Sequence, residues 1–452
     1  MTYKDSTKSL CPRCKKLIDA EVFEKQGKIF MRKKCKEHGN FLSLISSDAE
    51  FYKKALEFDL PGQKSLFRET KRKKGCPNDC GLCEEHKQHT CLALIDITNK
   101  CNLSCQNCYA SSEADGKFLS LKQISGMLDQ YIKCEKNPDV LQISGGEPTL
   151  HPQILEIIKL ARKNKILMIM LNTNGIRIAE DENFVKELSK FKGRFEVYLQ
   201  FDGFKEETYR KLRGKNLLDT KLKAIQNLVK YKIPITLVAT IKKGVNEDEI
   251  GSIIRFGLTT DFIRGATFQP IFFAGRHEKS DIMNRITGTD VLRRIEEQTK
   301  GIFKKTDFIP LPCPHPACCI ITYSIKIKNK IVPITRLIDV KKNLSYLGNQ
   351  IAFSPKKIVK KALKNLFSAS ASLESIKTLK AFSCCIPYKN LILNKKNREE
   401  FANDAFRIVV KPFMDAYNFD IKRAQKCCIH FILPDKRFIP FCVYNNLYRG
   451  KQ

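Results

Sequence analysis

From Leu92 onward, the sequence alternates short apolar runs with longer segments of helical period. The apolar runs are rich in branched and aromatic residues and end at Gly, Asn, Asp or Pro, which is typical of buried strands. Strands joined by helical crossovers pair in parallel, so residues 92–300 predict an α/β fold, a partial (β/α)6 barrel of the TIM type. The six runs are LALIDIT, VLQISGG, ILMIMLNTN, FEVYLQFDG, PITLVATIKKG and FIRGATFQPIFF.

The chain contains 19 cysteines in 452 residues, and most of them lie in clusters. The N-terminal stretch MTYKDSTKSL has no apolar leader, and no run approaches the ~18 apolar residues of a membrane-spanning helix. The sequence therefore predicts a cytoplasmic protein, in a compartment that keeps thiols reduced. Clustered thiols in such a compartment indicate bound metal, most often iron–sulfur clusters or zinc.

Residues 1–60 are predicted to form a small separate domain of rubredoxin-like or zinc-ribbon type. A C-x2-C knuckle and a C-x2-H knuckle flank a short alternating stretch that ends in Ile29, Phe30 and Met31. Paired knuckles supply the tetrahedral ligands of a single metal ion, and both iron and zinc fit them. The predicted ligands are Cys11, Cys14, Cys35 and His38.

The linker over residues 61–91 carries further thiols with the spacing C-x3-C-x2-C-x7-C. This set suffices for a fully ligated auxiliary [4Fe–4S] cluster, whose natural role is an electron relay or a structural staple. Zinc is the alternative metal. His86 and His89 are expected at the surface rather than among the ligands. The predicted ligands are Cys76, Cys80, Cys83 and Cys91.

Residues 301–452 are predicted to form a cysteine-rich region that holds a second auxiliary cluster and contributes to substrate binding. The region ends in CCIHFILPDKRFIPFCVYNN, which predicts two short strands around a turn. The predicted ligands are Cys313, Cys318, Cys427 and Cys442, and spacing does not decide between Cys427 and Cys428. The thiols predicted to be buried without a metal are Cys134, Cys319, Cys384 and Cys385.

A cysteine triplet with the spacing C-x3-C-x2-C follows the first strand of the predicted barrel, where active sites of such barrels lie. A [4Fe–4S] cubane is normally held by one thiolate per iron, so three thiolates leave one iron open to a substrate. The motif SGGEP follows the second strand. A zinc knuckle or an incomplete ferredoxin site is the alternative, although ferredoxins use C-x2-C-x2-C spacing. The triplet is Cys101, Cys105 and Cys108.

The triplet and the Gly-Gly-Glu motif together resemble the radical S-adenosylmethionine (radical SAM) superfamily. The resemblance implies that the open iron binds the amino and carboxylate groups of the methionine part of SAM. One electron then cleaves the sulfonium C–S bond and gives a 5′-deoxyadenosyl radical. One position departs from the family pattern, because Asn107 stands where an aromatic residue usually precedes the third cysteine, and Tyr109 follows it. The residue that contacts the adenine is therefore left open.

The same resemblance implies which residues contact SAM. In the family the Gly-Gly-Glu motif holds the methionine ammonium group. Glycine allows close backbone approach, and a glutamate accepts a charge-assisted hydrogen bond. Polar residues at the ends of the third, fourth and sixth strands face the same mouth of the barrel. The implied cofactor-binding residues are Gly145, Gly146, Glu147, Asn172, Asn174, Gln200, Asp202 and Gln269.

The pattern of the whole chain resembles the archaeal tetraether lipid synthases. The resemblance rests on the N-terminal knuckle pair, the block GCPNDCGLCEEHKQHTC, the stretch LQFDGFKEETYRKLRG and the terminal IPFCVYN. It implies that the enzyme forms an sp3–sp3 carbon–carbon bond between unactivated methyl ends of archaeol-type isoprenoid phospholipids. The implied cofactors are SAM, the catalytic [4Fe–4S] cluster, one or two auxiliary [4Fe–4S] clusters and one mononuclear iron or zinc. A low-potential electron donor is the implied redox partner.

The charge of the chain suits an anionic partner. The formal net charge is +33, spread along the chain, and it attracts polyanions such as lipid headgroups or nucleic acid. The stretch PKKIVKKALKNLF, residues 355–367, has the lysine-flanked apolar face of an interfacial membrane helix. These features predict a phospholipid substrate and a peripheral position on the inner face of the membrane. A compositional bias of the genome and a core-facing helix are the alternatives.

Other functions are compatible with parts of the same pattern. A radical SAM enzyme that modifies a peptide, a tRNA or another small molecule would use the same core chemistry. A non-catalytic iron–sulfur electron carrier is a different class, but the Gly-Gly-Glu motif would be idle in it. No nucleic-acid recognition motif accompanies the positive charge, so no nucleic-acid partner is expected.

Overall fold

The computed structural model describes residues 3–341 except 68, 69, 136, 137, 165, 279, 280, 328, 329, 337 and 338, together with residue 349 and residues 405–450. Within this part of the chain, no helix is long and apolar enough to cross a membrane. The predicted interfacial helix over residues 355–367 and the thiols Cys384 and Cys385 lie outside the described residues.

The N-terminal part of the chain folds as a four-stranded antiparallel sheet with one helix. Its elements are β1 Lys4–Leu10, β2 Leu17–Lys25, β3 Lys28–Cys35, β4 Gly39–Ser46 and α1 Ala49–Leu56. The strands pair in sequence order because each is joined to the next by a short turn. Alternate side chains of β3, including Ile29 and Met31, are buried and pack against Tyr52 of α1.

Six parallel strands, separated along the chain by helices, form the centre of the larger sheet. They pair in sequence order, as expected for consecutive β–α–β units. The predicted α/β fold with six strand–helix repeats is therefore confirmed. The strands are β5 Leu92–Asp96, β6 Val140–Ser144, β7 Met168–Thr173, β8 Phe195–Gln200, β9 Ile235–Ile241 and β10 Ile263–Pro270.

The helices that follow these strands along the chain are amphipathic. For example, the helix after β6 buries Ile154, Ile157, Ile158 and Ala161, which recur at helical spacing. The helix after β5 begins at a capping box formed by Ser120 and Gln123. The helices are α2 Leu121–Cys134, α3 Ile154–Lys163, α4 Ile176–Glu180, α5 Glu182–Ser189, α6 Glu206–Arg213, α7 Leu218–Lys230, α8 Ile250–Thr259 and α9 Gly288–Gln298.

Strands from the C-terminal region extend the larger sheet at both edges. They are β11 Ile309–Pro310, β12 Ile320–Ile327, β13 Lys330–Pro333, β14 Ala405–Val410, β15 Ile429–Ile432 and β16 Phe438–Pro440, with the short helices α10 Ile421–Gln425 and α11 Phe441–Val443. β14 pairs in parallel with β10, and β15 pairs in parallel with β5. β15 and β16 are the two strands predicted around a turn. The boundaries at residues 60, 91 and 300 stay predictions.

The two faces of the larger sheet contact different parts of the molecule. On β5, Ala93 and Ile95 face the core shared with the surrounding helices. Leu92 and Leu94 face the opposite way, toward Phe431 and Phe441 of the C-terminal region. The C-terminal segment therefore lines the interior enclosed by the strands, next to the loops that follow them.

Candidate active site and metal centres

A cavity of about 180 Å³ lies at the carboxyl ends of the central strands. Strands from both halves of the sheet contribute to its wall, together with loops that follow β5, β6 and β10. Of the residues predicted from the cysteine triplet and the cofactor motifs, those that line this cavity are Cys101, Cys105, Cys108, Gly145, Gly146, Glu147, Asn172, Asn174, Gln200 and Gln269.

The cysteine triplet lies in the loop after β5 and is only partly exposed. Burial, together with the nearby Glu147, Cys105 and Cys108, raises the pKa of the Cys101 thiol to about 12. Three thiolates in one partly buried loop repel one another, so a bound cation is needed to hold them in the charged form. Among the described residues, these sulfurs do not form one of the groups that gather within 4.8 Å. A cluster of several irons tolerates this wider spacing better than a single ion.

The glycines of the SGGEP turn bring it against the cysteine loop. A Cβ atom on Gly146 would overlap the carbonyl oxygen of Lys100, and one on Gly145 would overlap that of Thr98. Instead, the Gly146 N–H donates to the Thr98 carbonyl at 2.9 Å, and the Glu147 N–H donates to the Lys100 carbonyl at 2.8 Å. The glycines therefore act by holding the two loops in register.

Glu147 is almost fully buried and has its carboxylate fixed by hydrogen bonds. Its Oε1 accepts from the Thr149 N–H at 3.0 Å, from the Thr149 hydroxyl at 2.6 Å and from the Thr173 hydroxyl at 2.7 Å. Its Oε2 accepts from the Asn174 N–H at 2.7 Å. Oε2 thus keeps free acceptor capacity on the side of the cavity.

Asp202 is the one implied cofactor-binding residue that does not line the cavity. It is fully buried, and its carboxylate accepts a two-pronged hydrogen bond from Arg213, with both distances 2.7 Å. Arg213, which the sequence analysis did not single out, lines the cavity in its place. Arg213 lies on α6, after Asp202 in the sequence. No sequence pattern marks it as the partner of Asp202, because this pairing depends on the fold.

Lys221 is a second residue that the sequence analysis missed. It is fully buried on α7, and its ammonium group donates to the Asn174 carbonyl and to Gln200 Oε1, the latter at 2.7 Å. Burial lowers the pKa of Lys221 to about 7, although Asp202 opposes this effect. The side chain joins the ends of β7 and β8 beneath the cavity.

Arg276, in the loop after β10, forms hydrogen bonds with the cysteine loop. Its Nε donates to the Cys105 carbonyl at 2.8 Å, and its Nη2 donates to the Ser112 carbonyl at 3.2 Å. Its backbone exchanges hydrogen bonds with Cys108 at 2.9 and 3.0 Å. The loop after β10 therefore holds the triplet in place.

Aromatic rings form one wall of the cavity. Tyr109 stacks on Phe272 at a centroid distance of 5.9 Å, and Phe413 stacks on Phe441 at 4.3 Å. Phe441 also meets the edge of Tyr109 at 5.4 Å. These rings come from three separate regions of the chain and offer flat apolar surfaces to a planar ligand.

Two buried polar atoms at the cavity have no partner within the described structure, namely Asn107 Nδ2 and Ser112 Oγ. Buried polar groups are normally hydrogen-bonded, so these atoms suit a polar ligand in the cavity. Together with three thiols, they form a donor set that fits an iron–sulfur cluster and SAM. Both Asn107 and Tyr109 line the cavity, which leaves the adenine contact unassigned.

The N-terminal knuckles meet at one point. Ligand atoms of Cys11, Cys14, Cys35 and His38 all lie within 4.8 Å of one another. His38 Nδ1 lies 3.5 Å from Cys35 Sγ, and the Cys14 and Cys35 sulfurs are 3.9 Å apart. A tetrahedral ion with bonds of about 2.0–2.3 Å separates its ligands by roughly such distances, so zinc and iron both fit.

The remaining thiols are grouped differently from their order in the sequence. Sγ atoms of Cys91, Cys313 and Cys428 lie within 4.8 Å of one another. Cys76 and Cys80 are neighbours, with Cys83 and Cys427 close by. A second cavity, of about 240 Å³ and mostly apolar, lies deeper in the sheet and is lined by Cys318, Cys319, Cys427 and Cys442. As predicted, Cys134 and Cys319 belong to the apolar core.

The expectation that His86 and His89 lie at the surface is wrong. His89 is largely buried, with Nδ1 3.0 Å from Glu135 Oε2. His86 is buried, with Nε2 3.0 Å from His430 Nε2. Both rings find polar partners on distant segments, which a local sequence pattern does not indicate.

The chain is similar to several known proteins. Residues 95–257 match the family model described as the radical SAM superfamily, and residues 3–47 match the HMPTM N-terminal zinc ribbon domain. The chain is 38% identical to 7,8-dihydro-6-hydroxymethylpterin dimethyltransferase of Methanocaldococcus jannaschii, over 98% of this chain and 94% of that protein. It is 31% identical to a probable GTP 3′,8-cyclase of Pyrococcus horikoshii, over 36% of this chain and 50% of that one. SuiB of Streptococcus suis bound to S-adenosylmethionine is a solved structure with 18% identity and a TM-score of 0.38, over 47% of this chain and 48% of that one.

These matches correct the predicted substrate. The prediction of a tetraether lipid synthase acting on archaeol-type phospholipids is wrong, because the relative that spans nearly the whole chain is named for a pterin. The predicted contact with an anionic membrane is wrong for the same reason. The cysteine and Gly-Gly-Glu motifs behind these predictions indicate radical chemistry, not a particular substrate. A net charge of +33 attracts polyanions of every class and so does not identify one of them.

Proposed function

The chain belongs to the radical SAM superfamily, in the same family as the M. jannaschii 7,8-dihydro-6-hydroxymethylpterin dimethyltransferase, and we propose that it is a methyltransferase that acts on a reduced pterin. Members of the superfamily use SAM and a [4Fe–4S] cluster. The other thiol groups and the zinc ribbon fit auxiliary clusters or a mononuclear metal. The substrate proposal depends on one observation, the 38% identity that extends over 94% of that relative.

The chain's own residues suit these cofactors. Cys101, Cys105 and Cys108 would hold the catalytic cluster, and the free acceptor capacity of Glu147 would receive the ammonium group of SAM. When bound, the cluster and SAM supply one-electron chemistry that activates an unreactive C–H bond. Lys221 and Arg213 orient the surrounding amide and carboxylate groups, and the aromatic wall would exclude water from the reacting carbon.

The aromatic wall and two amide side chains of the cavity support the proposal of a pterin substrate. Its flat bicyclic ring suits the aromatic surfaces of Tyr109, Phe272 and Phe441. Gln142 on β6 and Gln269 on β10 line the same cavity from well-separated strands of the sheet, and each amide offers both a donor and an acceptor. A ring with alternating N–H, amino and carbonyl groups needs such two-sided partners.

The proposal is tested by anaerobic incubation of the reconstituted enzyme with reductant, SAM and 7,8-dihydro-6-hydroxymethylpterin. Mass spectrometry is expected to show pterin products heavier by one or two methyl groups, along with SAM cleavage. Repeating the reaction with SAM that carries a deuterated methyl group shows whether SAM is the methyl source.

Two variants test whether the activity depends on the cysteine triplet. Cys105→Ala is expected to abolish both SAM cleavage and methylation, because the triplet would lose one ligand. Cys134→Ala removes a thiol from the apolar core and is expected to retain activity. Steady SAM cleavage in the presence of the pterin, with no methylated product, would contradict the proposed substrate while leaving the radical SAM assignment intact.

A further inference from the structure

We propose that Lys411 binds an anionic group, a phosphate ester or a carboxylate, that the substrate carries beside its pterin ring. The inference rests on the proposed function, because it concerns the substrate of the same cavity. Lys411 follows β14 directly, and its N–H donates to the Phe268 carbonyl at 2.9 Å. Its side chain lines both the first cavity, beside the cysteine triplet, and the deeper, mostly apolar cavity.

The alternation of side chains along β14 directs Lys411 into the interior enclosed by the strands. Val410 belongs to the core shared with the surrounding helices, whereas Val409 lines the deeper cavity. Successive side chains of a strand point to opposite faces, so Lys411 lies on the same face as Val409. In the parallel register of β14 with β10, Val410 is opposite Phe268, which places Lys411 beside Gln269 in the wall of the first cavity.

The ammonium group of Lys411 has no acidic partner in the part of the chain that the structure describes. It lies 5.8 Å from the centroid of the Tyr198 ring. Among the described residues, the acids that line either cavity are Glu147 and Glu196. Glu147 accepts hydrogen bonds from three residues, and Glu196 pairs with Arg407. A cation partly shielded from water interacts strongly with an anion that enters with a ligand.

The other charged groups of the first cavity are already engaged. Arg213 is paired with the buried Asp202 through two hydrogen bonds of 2.7 Å. Glu147 would receive the ammonium group of SAM, and the SAM carboxylate, bonded to the same carbon atom, is then expected close to it. Glu147 follows β6, and four strands, β7 to β10, lie between β6 and β14. Lys411 therefore reaches the cavity from another side and is available to the substrate.

The aromatic wall brings a flat ring close to this cation. Phe413, two residues after Lys411, stacks on Phe441 at a centroid distance of 4.3 Å and lies 5.3 Å from Phe272. A ring that packs against this wall would carry its substituents in the cavity that Lys411 lines. The hydroxymethyl group of the proposed substrate is a primary alcohol, which can be esterified with phosphate or oxidised to a carboxylate. Lys411 would thus distinguish a charged form of the substrate from the neutral alcohol.

The test compares three ligands that share one ring, namely 7,8-dihydro-6-hydroxymethylpterin, its phosphate ester and the corresponding carboxylate. Isothermal titration calorimetry measures their binding to the anaerobically reconstituted enzyme with SAM present and no reductant. An anionic ligand is expected to bind on the order of tenfold to a hundredfold more tightly than the alcohol, as for a charge-assisted hydrogen bond. The ligand that shows this preference identifies the anion as phosphate or carboxylate.

Variants at Lys411 connect the preference to this side chain. Lys411→Met is expected to abolish the preference for the anionic ligand, and Lys411→Arg to retain most of it. Lys326→Met, exposed on the neighbouring β12, is the matched control and should keep the wild-type preference. An affinity ratio between anionic and neutral ligands that is the same in the wild type and in Lys411→Met would overturn the proposal. Weaker SAM binding with that ratio unchanged would assign Lys411 to SAM and overturn it as well.

A measurement on the wild-type holoenzyme covers the case in which the variants do not fold. Lysines are acetylated with and without each ligand, and the modified peptides are identified by mass spectrometry. The anionic ligand is expected to protect Lys411 at a concentration at which the alcohol does not. Equal acetylation with all three ligands would overturn the proposal. Failure of the proposed function gives a different result, because no pterin would then be methylated, whichever substituent it carries.

Discussion

Glu147 and Lys221, beside the cavity, each form hydrogen bonds with several residues, so a substitution at either position disturbs several contacts. Glu147 receives hydrogen bonds from three different residues, and every one of these partners is a donor. The two acceptors of the buried Lys221 ammonium group in the described part of the chain are neutral oxygens. Both side chains are therefore fixed in position by the residues around them.

Glu147→Gln is expected to weaken SAM binding on the order of tenfold to a hundredfold, since a hydrogen bond to a charged group contributes roughly 1.5–3 kcal/mol. The new amide nitrogen would face a donor, either Thr149 or the Asn174 N–H. Anaerobic titration with SAM measures the effect. Glu156→Gln, on the exposed face of α3, is the control. Unchanged affinity of the Glu147 variant would show that the carboxylate charge is not used.

The buried amine of Lys221 predicts a pH dependence of stability. The folded protein releases this proton near pH 7, while the unfolded chain keeps it up to the ordinary value of 10.5. Unfolding therefore takes up a proton between these values, and stability rises with pH across that window. Compared with Lys221→Met, the thermal midpoint of the wild type is expected to rise between pH 7 and 10. Lys223→Met, exposed on the same helix, keeps Lys221 and should show the same rise as the wild type.

At the scale of elements, the repeating units could be predicted and the contacts between loops could not. The alternation of apolar runs and amphipathic segments predicts β5 to β10 and their helices, because burial on both faces imposes that pattern locally. The partners of Arg276 depend on where distant loops meet. The same applies to β14, which pairs with β10 after a long excursion of the chain.

Arg276→Lys tests the contact between the loop after β10 and the cysteine loop. A single ammonium group cannot reach both the Cys105 and the Ser112 carbonyls in the geometry of the guanidinium fork. Loss of one such bond is expected to speed the loss of iron in air on the order of tenfold. Iron release followed by absorbance measures this, with Arg293→Lys, exposed on α9, as the control. Equal rates for both variants would mean that the loop is held by its backbone alone.

At the scale of the whole molecule, the order of cysteines in the sequence misleads because the sheet brings together its two edges. Cys91 appears to complete the preceding thiol group, yet β5 lies beside β15 and so Cys91 lies beside Cys428. In contrast, the N-terminal ligands were predictable, since two knuckles on adjacent hairpins of one small sheet must meet. Spacing identifies a site when its ligands belong to one local unit, and fails when they come from several.

The N-terminal sheet also supports the wall of the cavity from outside. The buried Lys33 ammonium donates to the Ala416 carbonyl at 2.7 Å, and Ser43 donates to the Tyr417 carbonyl at 2.8 Å. The adjoining Asp415 is fully buried and pairs with Arg285 at 2.5 Å. Because Phe413 lies just before this segment and in the cavity wall, the N-terminal sheet that carries the metal ligands is linked to the cavity through packing.

His38→Ala is therefore expected to lower the thermal midpoint by several degrees and to expose residues 413–420 to protease. A structural metal contributes its binding free energy to folding, and this variant would lose it. The iron of the catalytic triplet should be retained, since His38 is not among the residues that line the cavity. Metal analysis, differential scanning fluorimetry and limited proteolysis measure these outcomes, with the exposed His277→Ala as the control. If the metal is lost while midpoint and protease pattern stay unchanged, the N-terminal sheet is not a support for the cavity.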